Sequence, residues 1–487
     1  MRQPGHSNNG GTSAHPKNKA SMLRIFNHYI PLPIVVLILV EALILALSIY
    51  FGSSLRFGQV TLPLVAEDMG FGGIATVFAA LMIVTMTTFG LYQREGMDSF
   101  VGIMLRLGAS FVTGFAIMSL MFYLIPTLFL GRGAFALSCV IAYFALVLVR
   151  AAFHKWADWG LLKSRILVLG TGTRADHVEA LVNSQATTSN MEIVGYLPVK
   201  GSQDHVTASR ILPDEGLSLY SVVTKYGIDE IVLAVRERRG GILPMQELLE
   251  CRLRGVRITE ISTFFERERG QVRLDSLNAS WLILGEGFNN NSLRDGIKRS
   301  FDLLASAILL LATSPVIAIT ALLIKLDSSG ALFYRQERVG AGGRTFDVCK
   351  FRSMRVDAEL AGKPIWATAN DDRTTRVGRI IRKLRIDELP QIFNVLKGDM
   401  SFVGPRPERP FFVQQLAQEI PYYEARHSIK PGITGWAQVR YPYGASVEDA
   451  KEKLQYDLYY VKNHSLFLDI MILIDTVQVV LWGKGAR

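Results

Sequence analysis

Cysteine is scarce: Cys139, Cys251 and Cys349 stand far apart in 487 residues, with no CxxC spacing. That excludes a disulfide framework and a thiolate zinc cluster, and fits buried thiols in a reducing compartment. Charge is scarce too, at 20% of residues, with a mean hydropathy of +0.24. Soluble domains carry about 25% charged residues, so part of this chain has lipid as its solvent. No HExxH, P-loop or GxSxG pattern occurs, which argues against a zincin, a nucleotide hydrolase and a serine hydrolase. Acidic residues are missing from the first 28 positions, where Arg2, Lys17, Lys19 and Arg24 lie among Asn, Gly, Ser and His. Residues 1–28 read as a disordered basic tail, too long and polar for a signal peptide. The net charge of +10 suits nucleic acid, anionic headgroups or phosphorylated substrates equally.

Long apolar runs are what the chain has in excess. Residues 30–51, 71–92, 101–125 and 133–149 each approach the roughly 20 residues that cross a hydrocarbon core, predicting four transmembrane helices within 29–155. Glu41 sits mid-span in the first, where a carboxylate must face another helix or be protonated. Lys17, Lys19 and Arg24 precede the bundle and Arg150, Lys155, Lys163 and Arg165 follow it, against only Arg56 and Arg132 in the outer loops. The positive-inside rule then puts both ends in the cytoplasm. Over 164–287, short β-branched runs at 165–169, 191–196, 230–235 and 256–260 alternate with helical stretches at 175–182, 217–225 and 244–254. This predicts a Rossmann-like parallel sheet. Its first turn, Gly170-Thr171-Gly172-Thr173-Arg174-Ala175, either seats a pyrophosphate on a helix N-terminus or is a structural tight turn. The second strand ends Gly195-Tyr196-Leu197-Pro198, without the acid that would take a ribose hydroxyl.

Residues 303–324 form a fifth run of 22 residues without a charge, long enough to cross. Yet Lys298 and Arg299 precede it and Lys325, Arg335, Arg338, Arg344 and Lys350 follow, so neither flank resembles a translocated one. Ser314-Pro315 near its middle removes a backbone donor, and the serine hydroxyl can satisfy the freed carbonyl. The expectation is a re-entrant helix-break-helix over 298–326, with a kinked full span as the alternative.

Chemistry concentrates beyond residue 325. Arg373, Arg376, Arg379 and Arg382 recur at every third position, a slowly winding cationic stripe on a helix. Arg385-Ile386-Asp387-Glu388-Leu389-Pro390 then opens a further helix. Asp387 and Glu388 are either a cap with dipole-favoured charge or a carboxylate site where a phosphate and a divalent cation meet. Arg406, between Pro405 and Pro407, has a rigid mount for bidentate phosphate contact. Lys350-Phe351-Arg352-Ser353 and Lys430-Pro431-Gly432-Ile433-Thr434-Gly435 add basic and glycine-turn elements.

From Lys298 onward the chain closely resembles the bacterial sugar transferases called polyprenyl-phosphate hexose-1-phosphate transferases. The matching features are Ser314-Pro315, YRQERVG at 334–340, KFRSM at 350–354, RKLRIDELPQIFNVLKGDMSFVGPRPE at 382–408 and KPGITGWAQV at 430–439. The run from Tyr456 to Asn463 is similar to members that initiate exopolysaccharide or capsule synthesis. The bundle and the Rossmann-like region resemble the large membrane form of the family.

The resemblance implies a four-helix transmembrane bundle, a Rossmann-like domain for regulation or assembly, a re-entrant helix and a small, mainly α catalytic domain over 327–487. It implies transfer of a sugar 1-phosphate from a UDP-sugar, with UDP-glucose the first guess, to undecaprenyl phosphate, with release of UMP and a need for Mg²⁺. Asp387 matches the nucleophile and a metal contact, Glu388 its dyad partner, and Arg382 and Arg406 the phosphate-contacting arginines. Lys350 and Arg352 complete the expected substrate-binding set. The implied setting is the bacterial inner membrane, with the site facing the cytoplasm and the bilayer as a partner. No nucleic acid is expected, and a homo-oligomer is left open. Two competitors remain: a membrane-anchored nucleotide-sensing scaffold, and a transferase that moves only the sugar and releases UDP. The run at 466–481 reads either as an interfacial helix or as part of the catalytic core.

Overall fold

The structure, a computed structural model, describes residues 22–25, 28–58, 71–92, 100–158, 164–184, 191–199, 205–213, 216–235, 243–276, 292–355, 373–441, 444 and 446–482. Most of the basic tail, residues 277–287 of the Rossmann-like region, and Asp371 and Asp372 lie outside these. The last residues of the expected tail are paired instead: Met22–Ile25 and His28–Pro31 form an antiparallel hairpin. Burial of His28 against Trp436 and Tyr459 holds it there.

The fold is mostly helical. Leu32–Phe57, Phe100–Leu124, Arg132–Lys155 and Ser292–Asp327 are long and apolar enough to cross a membrane. Phe71–Thr88, with 18 residues or about 27 Å of helix, completes an N-terminal bundle in which the first and third helices each pack on the second and fourth. Leu45, Ile49, Phe78, Met82 and Leu107 fill its interior while Leu39, Leu43, Leu105 and Val112 face outward, the all-round apolarity of helices with a greasy surrounding. Gly52 lies so close to the Ser138 backbone that a Cβ would overlap it, a small-residue crossing between the first and fourth helices. Glu41 is fully buried and paired with Arg150, Nε to Oε1 at 2.7 Å and Nη2 to Oε2 at 2.9 Å. The Tyr92 hydroxyl donates to it at 2.5 Å. Arg150, read from sequence as a flanking charge, is therefore turned inward.

The sheet of the second region is wholly parallel in the order Met191–Leu197, Ser164–Leu169, Glu230–Leu233, Arg257–Glu260. Alternation along the second strand in that order splits two cores: Ile166 and Val168 join Phe264 and Phe265 on one face, Leu167 and Leu169 join Val223 and Leu248 on the other. Gly170, at φ +115, donates its N–H to Leu197 and the Thr171 carbonyl accepts from His205, both at 2.8 Å, so the glycine turn ties down the sheet edge.

The exit from this region docks on the C-terminal part of the chain. Lys462 donates to both oxygens of buried Glu266 at 2.9 and 3.0 Å. Trp436 Nε1 donates to the Gly270 carbonyl at 2.7 Å and Gln271 to Glu452 at 2.7 Å. His28 bonds Tyr459 at 2.8 Å. Burial, then Arg440, lowers the imidazole pKa to about 4, so it is neutral at this three-way junction.

Helix Ser292–Asp327 is continuous, unlike the helix-break-helix expected at Ser314 and Pro315. Pro315 deprives the Leu311 carbonyl of its donor, and Ser314 Oγ supplies one at 2.9 Å. The compensation foreseen for the break preserves the helix. Its start is clamped by Lys298 to Asp469 at 2.6 Å, Arg299 to the carbonyls of Val395 and Leu396, and Asp302 to Ser401 at 3.0 Å. Its end packs Ile324 with Phe351 and Ile381, and Asp327 accepts the Val377 N–H at 3.0 Å. Helix Leu466–Trp482 buries Leu468 and Ile472 in the catalytic core and reaches the bundle through Gln478, which donates to the Thr87 carbonyl at 2.6 Å.

Candidate active site

Local chemistry builds the site from three segments. Helix Arg376–Lys383 starts at Thr375, whose hydroxyl accepts the Gly378 N–H at 2.9 Å. Gly378 presses on the Ser353 carbonyl with no room for a Cβ, which fastens KFRSM to the arginine helix. After Leu384 the chain reverses at Arg385, at φ 58, a strained left-handed conformation for a side-chain-bearing residue. Ile386–Glu388 is one 3₁₀ turn, and helix Gln391–Lys397 begins only after Pro390, with no side-chain cap. Neither Asp387 nor Glu388 caps it, so the structural reading of the pair as a cap does not hold. Asn394 accepts the Cys349 N–H at 2.9 Å and donates to the Asp347 carbonyl at 2.7 Å. That pins the helix to strand Thr345–Phe351, beside Lys350.

The third segment carries Arg406. Strands Ser401–Val403 and Gly432–Thr434 run parallel. Gly404, Gly432 and Gly435 approach one another's backbones more closely than any Cβ would allow, which explains the glycines of GPRP and KPGITG. Arg406 Nη2 reaches Glu388 Oε1 at 3.0 Å, Lys350 Nζ reaches the same oxygen at 2.9 Å, and Arg385 stands at 3.9 Å.

Electrostatics separates the two carboxyls. Burial raises the pKa of Asp387 and adjacent Glu388 adds to it; Lys350, Arg385 and Arg382 offset this only in part. Burial works against ionising Glu388 too, but Lys350 and Arg406 outweigh it and hold that carboxyl well below its usual range. Neighbouring acids driven apart in this way suit different roles: Glu388 is a fixed anion, and Asp387 is the poised one. Asp387 Oδ1 is buried and has no hydrogen-bond partner among the described residues. Such an oxygen fits a divalent cation held by one carboxylate and substrate phosphates, the usual style of Mg²⁺. No cluster of three or more His, Cys, Asp or Glu side chains able to hold a metal occurs among the described residues.

Of the expected site residues, Asp387, Glu388, Lys350 and Arg406 are brought together, and Arg382 acts on Asp387 through space. Arg352 is turned elsewhere: its guanidinium, buried, donates to the carbonyls of Ser329 and Ser328 at 3.0 and 2.8 Å. It fastens the exit of the membrane helix rather than facing the carboxylates. Arg385 was missed, because its conformation, and not its sequence spacing, brings it to Glu388.

The family model described as bacterial sugar transferase matches residues 293–483, the span that holds all of these groups. The chain is 46% identical over 240 residues to the UDP-N-acetylgalactosamine-undecaprenyl-phosphate N-acetylgalactosaminephosphotransferase of Aeromonas hydrophila, covering 49% of this chain and 56% of that protein. It is 43% identical over 192 residues to the UDP-glucose:undecaprenyl-phosphate glucose-1-phosphate transferase of Escherichia coli (strain K12), covering 39% and 41%. A protein of the same name from Caulobacter vibrioides is 42% identical over 191 residues, covering 39% of this chain and 71% of the relative. The chain thus spans about half of the length of the Aeromonas relative. With that site and those matches together, the chain belongs to the bacterial sugar transferase family.

Proposed function

We propose that this chain transfers a sugar 1-phosphate from a UDP-sugar to undecaprenyl phosphate, as the first membrane step of exopolysaccharide or capsule assembly. The observation that carries the reading is the unpartnered, buried oxygen of Asp387 beside a Glu388 already neutralised by Lys350 and Arg406. An Asp387 oxygen attacks the β-phosphorus of the donor, and the bond from that phosphorus to the bridging oxygen breaks, its electron pair leaving with UMP. An oxygen of undecaprenyl phosphate then attacks the same phosphorus and displaces the Asp387 carboxylate. Arg406 and Arg382 offset the repulsion between anions as donor and nucleophile close. When bound, Mg²⁺ would supply charge neutralisation at the diphosphate, with Asp387 as its protein ligand.

The membrane arrangement belongs to the same reading: four bundle helices span the inner membrane, helix Ser292–Asp327 enters and leaves on the cytoplasmic face, and both soluble regions are cytoplasmic. Both ends of that helix grip one domain, which supports a single face. The Rossmann-like domain serves assembly or regulation, in keeping with its docking through Glu266.

The test is to supply purified protein in detergent with Mg²⁺, undecaprenyl phosphate and a panel of UDP-sugars. UMP release and a phosphosugar trapped on the protein before lipid is added are expected, with ping-pong kinetics. UDP release would identify a transferase that moves only the sugar. Nucleotide binding without turnover would favour a sensing scaffold.

A further inference from the structure

Four successive carbonyls around Arg406 are held from two parts of the chain, Arg338 with Val339 and Arg426 with Gly432. Pro405 accepts from the Gly432 N–H at 3.0 Å and Glu408 from the Val339 N–H at 2.9 Å. Between them, the Arg406 carbonyl accepts from Arg426 Nη2 at 3.0 Å, and the Pro407 carbonyl from Arg338 Nη1 at 3.1 Å. The two outer bonds come from the backbone, whereas the two inner ones come from arginine side chains. Arg426 is 6% exposed, and its guanidinium is otherwise committed to Asp457 at 2.7 Å and to the Tyr423 hydroxyl at 2.7 Å. Arg338 donates to Gln336 at 2.5 Å and stands 3.6 Å from Glu408. A guanidinium presents several donors in one rigid plane, so it can grip a carbonyl and its own anchor together; an ammonium cannot do so with the same geometry.

We propose that Arg426, anchored by Asp457, and Arg338 are positioning residues for Arg406. They grip the carbonyls of Arg406 and Pro407, the two peptide units that flank Pro407, which fixes the backbone from which Arg406 reaches Glu388 and the donor phosphate. The two prolines limit φ at 405 and 407, and these side chains hold the two inner carbonyls. The proposal rests on the reading of Arg406 as a phosphate contact. Misplacing such a group by about 1 Å can cost on the order of 10²-fold in rate.

The experiment is a double-mutant cycle on the purified full chain, measuring sugar-phosphate transfer and thermal unfolding for Arg426→Lys, Arg338→Gln and Arg406→Ala, alone and combined. Each of the first two should lower kcat by about 10²-fold in the native background. Neither should lower it further once Arg406 is alanine, because the group they position is gone. Losses that persist undiminished in the Arg406→Ala background would show a role in the general fold and overturn the proposal. Unchanged kcat in both single variants would do the same. Should Arg426→Lys fail to fold, the less buried Arg338→Gln carries the cycle. Full activity of Arg406→Ala alone would instead remove the phosphate reading of Arg406, and the clamp with it.

Discussion

Asp387→Asn and Glu388→Gln differ from the native chain by one charge each, at adjacent positions, and should shift stability in opposite directions. Glu388 Oε1 takes charge-assisted hydrogen bonds from Lys350 at 2.9 Å and Arg406 at 3.0 Å. Each such bond contributes about 1.5–3 kcal/mol. Glutamine keeps one acceptor oxygen but no charge, so about half of that sum, roughly 1.5–3 kcal/mol, should be lost. Asp387 is the reverse case: burial and the neighbouring Glu388 both oppose its charge, and an amide relieves both. Its variant should melt at or above the native temperature, with a gain of at most about 1 kcal/mol. The acid limb follows from the same directions. The folded pKa of Glu388 lies below its unfolded value of about 4.3, so its stabilisation is present above that pH and fades as pH falls through the folded pKa. The folded pKa of Asp387 is raised, so its ionisation removes stability as pH climbs through that value. Thermal scans of the detergent-solubilised variants from neutral pH down to about pH 2, beside a labelled-sugar transfer assay at neutral pH, measure both. Transfer by Asp387→Asn should fall by about 10⁴-fold or more, since an amide is a far poorer nucleophile. If Asp387→Asn melted below Glu388→Gln, the division into a poised and an anchored carboxyl would be wrong.

Cysteines introduced at exposed Ser300 and Ser329, which bracket the membrane helix, should both react with an impermeant maleimide from the cytoplasmic side only; opposite sidedness would establish a full span. Glu266→Leu should cost about 3–5 kcal/mol by breaking a buried ion pair whose carboxylate takes both Lys462 bonds, whereas adding Lys462→Met should recover most of it in the same melting assay. Excision of 164–287 should retain measurable transfer, because removing the domain opens Lys462 to water instead of leaving it buried. Chelation should stop transfer, and Mg²⁺ should restore both turnover and the trapped phosphosugar.

How far the sequence could be read depended on the range of the interaction involved. The parallel strands at 164–169, 191–197, 230–233 and 257–260 were legible within a few residues, because β-branched runs and helical periods are local signals. Asp387, Glu388, Lys350 and Arg406 were legible through motifs, and they converge. Arg352 failed because KFRSM gives residue types without directions, and the strand ends there, turning the side chain toward Ser328 and Ser329. Glu41 was recognised as needing a partner, but Arg150, 109 positions away, looked like a topology signal. Its burial is a tertiary fact. Pro315 was given a break because a proline removes a helix donor; the Ser314 hydroxyl that replaces it is 2.9 Å from the very carbonyl concerned.

That repair changes how the membrane helix has to be understood. At about 1.5 Å per residue, its 36 residues extend about 54 Å, well beyond the roughly 30 Å of a hydrocarbon core. Length therefore permits a crossing, but the contacts oppose one. Lys298, Arg299 and Asp302 hold residues 395–403 and Asp469 at one end, and Ile324 and Asp327 hold Phe351, Val377 and Ile381 at the other. A span would require one of these polar grips to form across the bilayer from the domain it grips. An unbroken helix fastened at both ends to one domain instead lies along it and leaves Leu304, Leu311, Ile319 and Leu326 exposed on the other flank, the flank that the proposed arrangement turns to lipid. Asp387 is one residue past Ile386, which packs against the end of this helix with Phe351 and Ile381. In the proposed single-face arrangement it would lie at the membrane surface, where a donor dissolved in water and an acceptor dissolved in lipid would reach the same carboxylate in turn.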